Sequence, residues 1–143
     1  DAMQAFIILS FFVPMLIDCG GNAGAQATAT VVRGLAVGDI NAKDIFKVIW
    51  REIRVGLLLG MTMACVAFVR AWISGGTPTV GIVVSLSVLA IVCLGTLMGS
   101  FLPMVVSKLG FDPAVVAAPI ITTVVDSVGL LIYFTIARAF LKI

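Results

Sequence analysis

The chain has 143 residues, 62% of them hydrophobic and 11% charged, with a net charge of +2 and a mean hydropathy of +1.24. Soluble domains carry about 25% charged residues, so this composition excludes an ordinary water-soluble fold and describes an integral membrane protein. So small a net charge gives no footing for nucleic acid, and with no His the imidazole and thiolate sets that hold zinc, copper or iron are missing.

A helix needs about 20 apolar residues to cross a bilayer. Runs of that kind extend from Ala2 to about Arg33, from about Ile53 to Ile73, from Val80 to Val106 and from Ala114 to Leu141. They predict an all-α, polytopic transmembrane helical bundle that forms a single domain over residues 1–143. Arg33, Lys43, Lys47, Arg51 and Arg54 cluster between the first two runs, residues 74–79 carry no charge, and Lys108 marks the next turn. By the positive-inside bias the first and third connections are cytoplasmic and both termini face outward. That orientation predicts a further span before Asp1 and an inner-membrane location.

The segment Asp44 to Arg54 places Ile45, Ile49 and Ile53 on one side of a helix and Lys47, Arg51 and Arg54 on another. It is expected to form the interfacial end of the second helix, anchored by Trp50 and capped by Asp39 or Asn41. Glycines four apart occur at 20/24, 34/38, 56/60 and 95/99, a spacing that lets helices approach closely, and tight packing is expected at 56/60 and 95/99. Cys19, Cys65 and Cys93 lie far apart in apolar runs and are expected to be small buried hydrophobes rather than ligands or a disulfide.

Within the first run Asp18, Asn22, Gln26 and Thr30 recur every four residues and form a polar stripe along one side. Gly20, Gly21 and Gly24 among them predict a kink or local unwinding that frees carbonyl oxygens. The stripe has two readings: hydrogen bonding between neighbouring helices, or a hydrated path lined by oxygen.

The fourth run carries Thr122, Asp126, Gly129 and Tyr133 at i, i+4, i+7 and i+11, with Thr123 alongside and Pro119 a turn earlier. Either threonine has a second use, bonding back to its own helix. Asp126 falls near the middle of the run, with no Lys, Arg or His within a helical turn. An ionised side chain at that depth costs about 3 kcal/mol on insertion scales. Its compensation must come from another helix, another chain or a bound cation.

Every candidate group here presents oxygen, which suits a hard cation such as Mg²⁺ or Ca²⁺. Mg²⁺ sheds water reluctantly, so a pore is expected to hold it hydrated. At an effective dielectric of about 20, a carboxylate ~4.5 Å from a divalent ion attracts it by about 7 kcal/mol, while two carboxylates ~8 Å apart repel by about 2. Two copies of Asp126 facing one ion are therefore favourable when it is present, and a symmetric homodimer supplies the second copy. No Gly-rich loop followed by Lys-Ser or Lys-Thr exists to drive pumping with a nucleotide, and no nucleophile is paired with a base, so the chain is not expected to be an enzyme. A secondary transporter coupling a divalent cation to H⁺ or Na⁺ and a non-transporting assembly module are the alternatives.

Pro14-Met-Leu-Ile-Asp-Cys-Gly-Gly-Asn-Ala-Gly-Ala-Gln26, with Thr28, Val32-Arg-Gly34 and Ala36, is followed some ninety residues later by Phe111-Asp-Pro-Ala114, Pro119, Thr122-Thr123, Asp126, Gly129 and Leu130-Leu-Ile-Tyr-Phe134. Together these resemble the membrane domain of the MgtE-type magnesium channels, and four of that family's five membrane helices. The resemblance implies a homodimeric, Mg²⁺-selective channel in the lipid bilayer, with Mn²⁺ and Co²⁺ open as further ions and cytoplasmic regulatory domains elsewhere in the full-length protein. By position, Asp126 becomes the main metal contact, with Asn22, Gln26 and the turns from Thr122 and Thr123 to Gly129 as neighbours. Asp18 departs from the small residue the pattern calls for and adds a second acid to the metal-site candidates.

Overall fold

The computed structural model describes residues 2–141. Four helices follow one another: α1 (Ala2–Val37), α2 (Ile45–Ile73), α3 (Pro78–Lys108) and α4 (Pro113–Leu141), with a short 3₁₀ turn over Ala42–Asp44 before α2. All four are long and apolar enough to cross a membrane. The expected spans are thus met, with α2 absorbing the amphipathic segment as its first turns. The helix predicted ahead of Asp1 lies outside the described residues.

The chain runs up and down because its connections are short and strongly punctuated. Thr77 caps α3, its hydroxyl accepting from Val80 N, and Pro78 occupies the first turn, where no intrahelical donor is needed. Gly110, at φ 80°, ends α3 in the left-handed conformation that a side chain disfavours. Asp112 then accepts from Ala114 N at 2.9 Å and starts α4 ahead of Pro113. Asn41 is the N-cap of the 3₁₀ turn that leads into α2, as expected, in a capping box in which its backbone N–H donates to Asp44 Oδ2 at 2.9 Å.

The axis of the bundle is α3, which packs on α1, α2 and α4. It is also the most extensively buried span. Its buried ridge runs Val80, Val84, Val88, Ile91, Gly95 and Gly99. Ser87, Thr96 and Ser100 are buried there too, and each hydroxyl donates to a carbonyl of its own helix at 2.7 to 3.0 Å. Polar groups inside the bundle are in this way satisfied without interrupting it.

Glycine brings α1 against α3. A Cβ on Gly95 would meet the Gly20 carbonyl oxygen, and one on Gly99 would meet the carbonyl oxygen of Gly24. A backbone oxygen cannot swing aside as a flexible side chain can, so only glycine permits this spacing. The expectation of a break in α1 is overturned by the same contacts. The helix continues unbroken through Gly20, Gly21 and Gly24, because two of those glycines are the contact surface for α3 and the backbone hydrogen bonds stay in place. Gly56 and Gly60 seat α2 on Thr96 and Leu89 of α3 in the expected manner.

All three thiols are free, and none is fully buried: Cys19 and Cys93 are half-buried and Cys65 is exposed. Cys19 packs against the core, and Cys65 departs from the expected burial because α2 presents residues 57–59, 61, 62, 65 and 66 outward, on a face that lipid would cover.

Candidate ion pathway

The contact between α1 and α4 sets the level of the candidate residues. Val125 packs at Gly20, Ile121 packs at Gly24, and Tyr133 bonds to Leu9. The two helices are therefore antiparallel and in fixed register. Asp18 lies two residues from Gly20 and Asp126 one from Val125, on the same side of that contact. At 1.5 Å rise per residue the two acids sit within about 5 Å of each other in depth. Each is close to the midpoint of its own helix.

Along α1 the polar stripe holds its shape because the helix is continuous. Asp18, Asn22, Gln26 and Thr30 are all exposed on the chain. Asp18, Asn22 and Gln26 form one wall of a groove of about 210 Å³, with Leu59 and Met63 of α2 opposite and Val92 of α3 between them. An adjoining groove of about 260 Å³ continues past Gln26 and Thr30 to Arg51, Glu52 and Thr96. Thr30 spends its hydroxyl proton on the Gln26 carbonyl at 3.0 Å. The side chains of Asp18, Asn22 and Gln26 have no hydrogen-bond or ion-pair partner among the described residues.

The α4 stripe is divided by the fold. Thr122 and Thr123 are exposed, and both hydroxyls donate to the Pro119 carbonyl at 3.0 Å, the local role that competes with ligation. Their oxygen lone pairs stay available as acceptors. Asp126 is half-buried, and among the described residues it has neither an ion pair nor a hydrogen bond. Gly129 and Tyr133, expected on the same face, are instead buried. Gly129 is turned onto Ile91 of α3, and Tyr133 onto α1. The reason is the drift of a 3.6-residue helix: residues 117, 121, 125, 129, 133 and 137 form the packed ridge, and Asp126 stands at its edge. Gly129 is thereby a packing residue on the side it turns to Ile91.

Among the described residues no three His, Cys, Asp or Glu come together. Asp18, Asn22 and Gln26 of α1 are left exposed and Asp126 of α4 half-buried near mid-helix, where oxygen groups lacking a partner are costly.

One charged residue that sequence reasoning passed over is Glu52. It is 5% exposed and pairs with Arg51 at 3.0 Å, at the far end of the groove from Asp18. A signal for it exists, since Val48, Glu52, Gly56 and Gly60 repeat every four residues along the packed side of α2.

The family described as MgtE, divalent cation transporter, matches residues 13–136. The chain belongs to that family. Among its MgtE relatives, the magnesium transporters MgtE of Bacillus subtilis and of Thermus thermophilus are each 38% identical, over 99% of this chain. The magnesium transporter MgtE of Enterococcus faecalis is 35% identical over 94%. This MgtE chain spans about a third of the length of those curated relatives, at 30 to 31% of each. With its four spanning helices it is a multi-pass membrane protein of a transporter family, in keeping with the cell membrane.

Proposed function

We propose that two copies of this chain form a Mg²⁺ channel whose pore lies at the two-fold axis, with one Asp126 from each copy facing the hydrated ion. The observation that carries the reading is Asp126 itself, half-buried at mid-helix without a partner among the described residues. A second copy and a divalent cation together answer its electrostatic cost, by the attraction of about 7 kcal/mol per carboxylate against about 2 of repulsion. Asn22 and Gln26 line the approach on α1, Thr122 and Thr123 offer lone pairs to the ion's waters on α4, and Asp18 adds charge at the same level. Membership of a divalent cation transporter family supports the choice of cargo, as do relatives named magnesium transporters. In a longer protein of the relatives' length, the remaining two-thirds supplies the regulatory domains.

The test is ion flux in proteoliposomes. Wild-type protein is expected to pass Mg²⁺ down its gradient with a reversal potential independent of H⁺ and Na⁺, and Asp126→Asn to abolish the flux. Dependence on either gradient at fixed Mg²⁺ would assign coupled transport instead. Undiminished flux through Asp126→Asn would remove the residue from the pathway. Competition by Mn²⁺ and Co²⁺ in the same assay reads selectivity.

A further inference from the structure

The first turns of α2, cytoplasmic in the positive-inside orientation, carry a second polar feature that meets the groove along α1 only at Arg51. A cleft of about 260 Å³ opens between residues 39–44 and the first turns of α2, and Lys47, Arg51, Arg54 and Trp50 line it. The three cations recur at i, i+4 and i+7, one stripe down the helix. Lys47 and Arg54 are exposed and form no ion pair among the described residues. Arg51 is only partly satisfied. Its Nε donates to Glu52 Oε1 at 3.0 Å, and its Nη2, shut off from solvent, lies 3.0 Å from the same oxygen without a well-directed hydrogen bond. The Nε and Nη2 edge of the guanidinium thus faces Glu52, and Nη1 is left without a partner among the described residues.

Two acids also line the cleft, and they limit what it accepts. Asp44 is engaged by the Asn41 N–H, whereas Asp39 is exposed at the rim and opposes a multiply charged anion. Beside the cleft Phe46 is 84% exposed and Trp50 61% exposed, on the turns of α2 that lie at the membrane surface in the positive-inside orientation. A singly charged phosphodiester flanked by apolar chains matches all of this. Its oxygens answer Nη1 of Arg51, its charge answers Lys47 and Arg54, and its acyl and glycerol portions cover the two aromatic rings.

We propose that this cleft binds the headgroup phosphate of an anionic membrane lipid, away from the Asp18, Asn22 and Asp126 positions of the candidate ion pathway. Retention of lipid by the purified protein in native mass spectrometry tests it, with phosphatidylglycerol, phosphatidylcholine and inorganic phosphate as separate probes. Phosphatidylglycerol is expected to be retained over phosphatidylcholine, with Lys47→Gln and Arg54→Gln each weakening retention about fivefold. Both side chains are exposed, so the fold tolerates the changes. Lys108→Gln, at the neighbouring cytoplasmic turn, is expected to leave retention unchanged, and an equal loss there would replace a site with diffuse charge attraction. Wild-type retention in the Lys47→Gln/Arg54→Gln double variant would overturn the proposal. Displacement of the lipid by millimolar inorganic phosphate would overturn the choice of lipid.

Discussion

The phenol of Tyr133 donates a 2.8 Å hydrogen bond to the carbonyl oxygen of Leu9, joining α4 to α1 across 124 residues of sequence. The ring is fully buried, and the bond adds a directional tie to the register in which Val125 meets Gly20. The depth shared by Asp18 and Asp126 depends on that register. Tyr133→Phe removes the tie and keeps the ring. Interhelical hydrogen bonds in membranes average about 0.6 kcal/mol and reach about 1.7, and Leu9 keeps a helical donor for its carbonyl. A loss within that range is expected in detergent unfolding titrations, with an unchanged helical content by circular dichroism.

Close approach of α1 and α3 makes Gly95 intolerant of even one methyl group. Gly95→Ala drives a Cβ onto the Gly20 carbonyl oxygen, and the cost is expected at the upper end of the ~1 to 3 kcal/mol typical of overpacking. Gly21 is the comparison, since a Cβ there meets nothing within 4 Å. Replacing it with alanine inside a helix is expected to stabilise by up to about 1 kcal/mol. Parallel melting curves of the two variants check the contrast, and equal shifts would refute it.

Mg²⁺ itself is expected to stabilise the protein. A ligand that binds only the folded state adds about 2.7 kcal/mol at 100 times its Kd, which appears as a rise in Tm with Mg²⁺ concentration. Asp126→Asn is expected to remove that rise without lowering the melting temperature in chelator, because the carboxylate has no partner among the described residues. Asp18→Asn, at the same depth on α1, is expected to weaken the rise and shift its midpoint to higher Mg²⁺.

Glu52 is expected to matter for stability rather than for ion contact. It is buried, and its neighbour Arg51 is about half-exposed, with 42% of its side chain accessible. Glu52→Ala removes the oxygen that accepts from Arg51 Nε at 3.0 Å and is expected to cost about 1.5 to 3 kcal/mol, the range for a hydrogen bond between charged groups. The double variant Arg51→Leu/Glu52→Leu is expected to recover most of the loss, since replacing both partners by apolar groups is often neutral. Unfolding midpoints of the single and double variants measure this, and no recovery would mean that Glu52 has a role beyond the pair.

The spans were legible in the chain because hydrophobic length is a local quantity, and it marks α1 to α4. Glycine spacing at 56/60 and 95/99 likewise announced close packing, and Asp126 stood out because an acid in an apolar run is costly wherever the helix turns it. Which neighbour each face meets is a different kind of quantity, decided by packing between residues far apart in sequence. Only the tertiary structure showed that Gly20 and Gly24 are contact surfaces and not a break in α1, and that Gly129 and Tyr133 turn inward while Thr122 faces out. It also revealed the buried Glu52. A helical period locates a stripe, but the ridge of α4 is chosen by the fit of Ile121 and Val125 against glycines a hundred residues away.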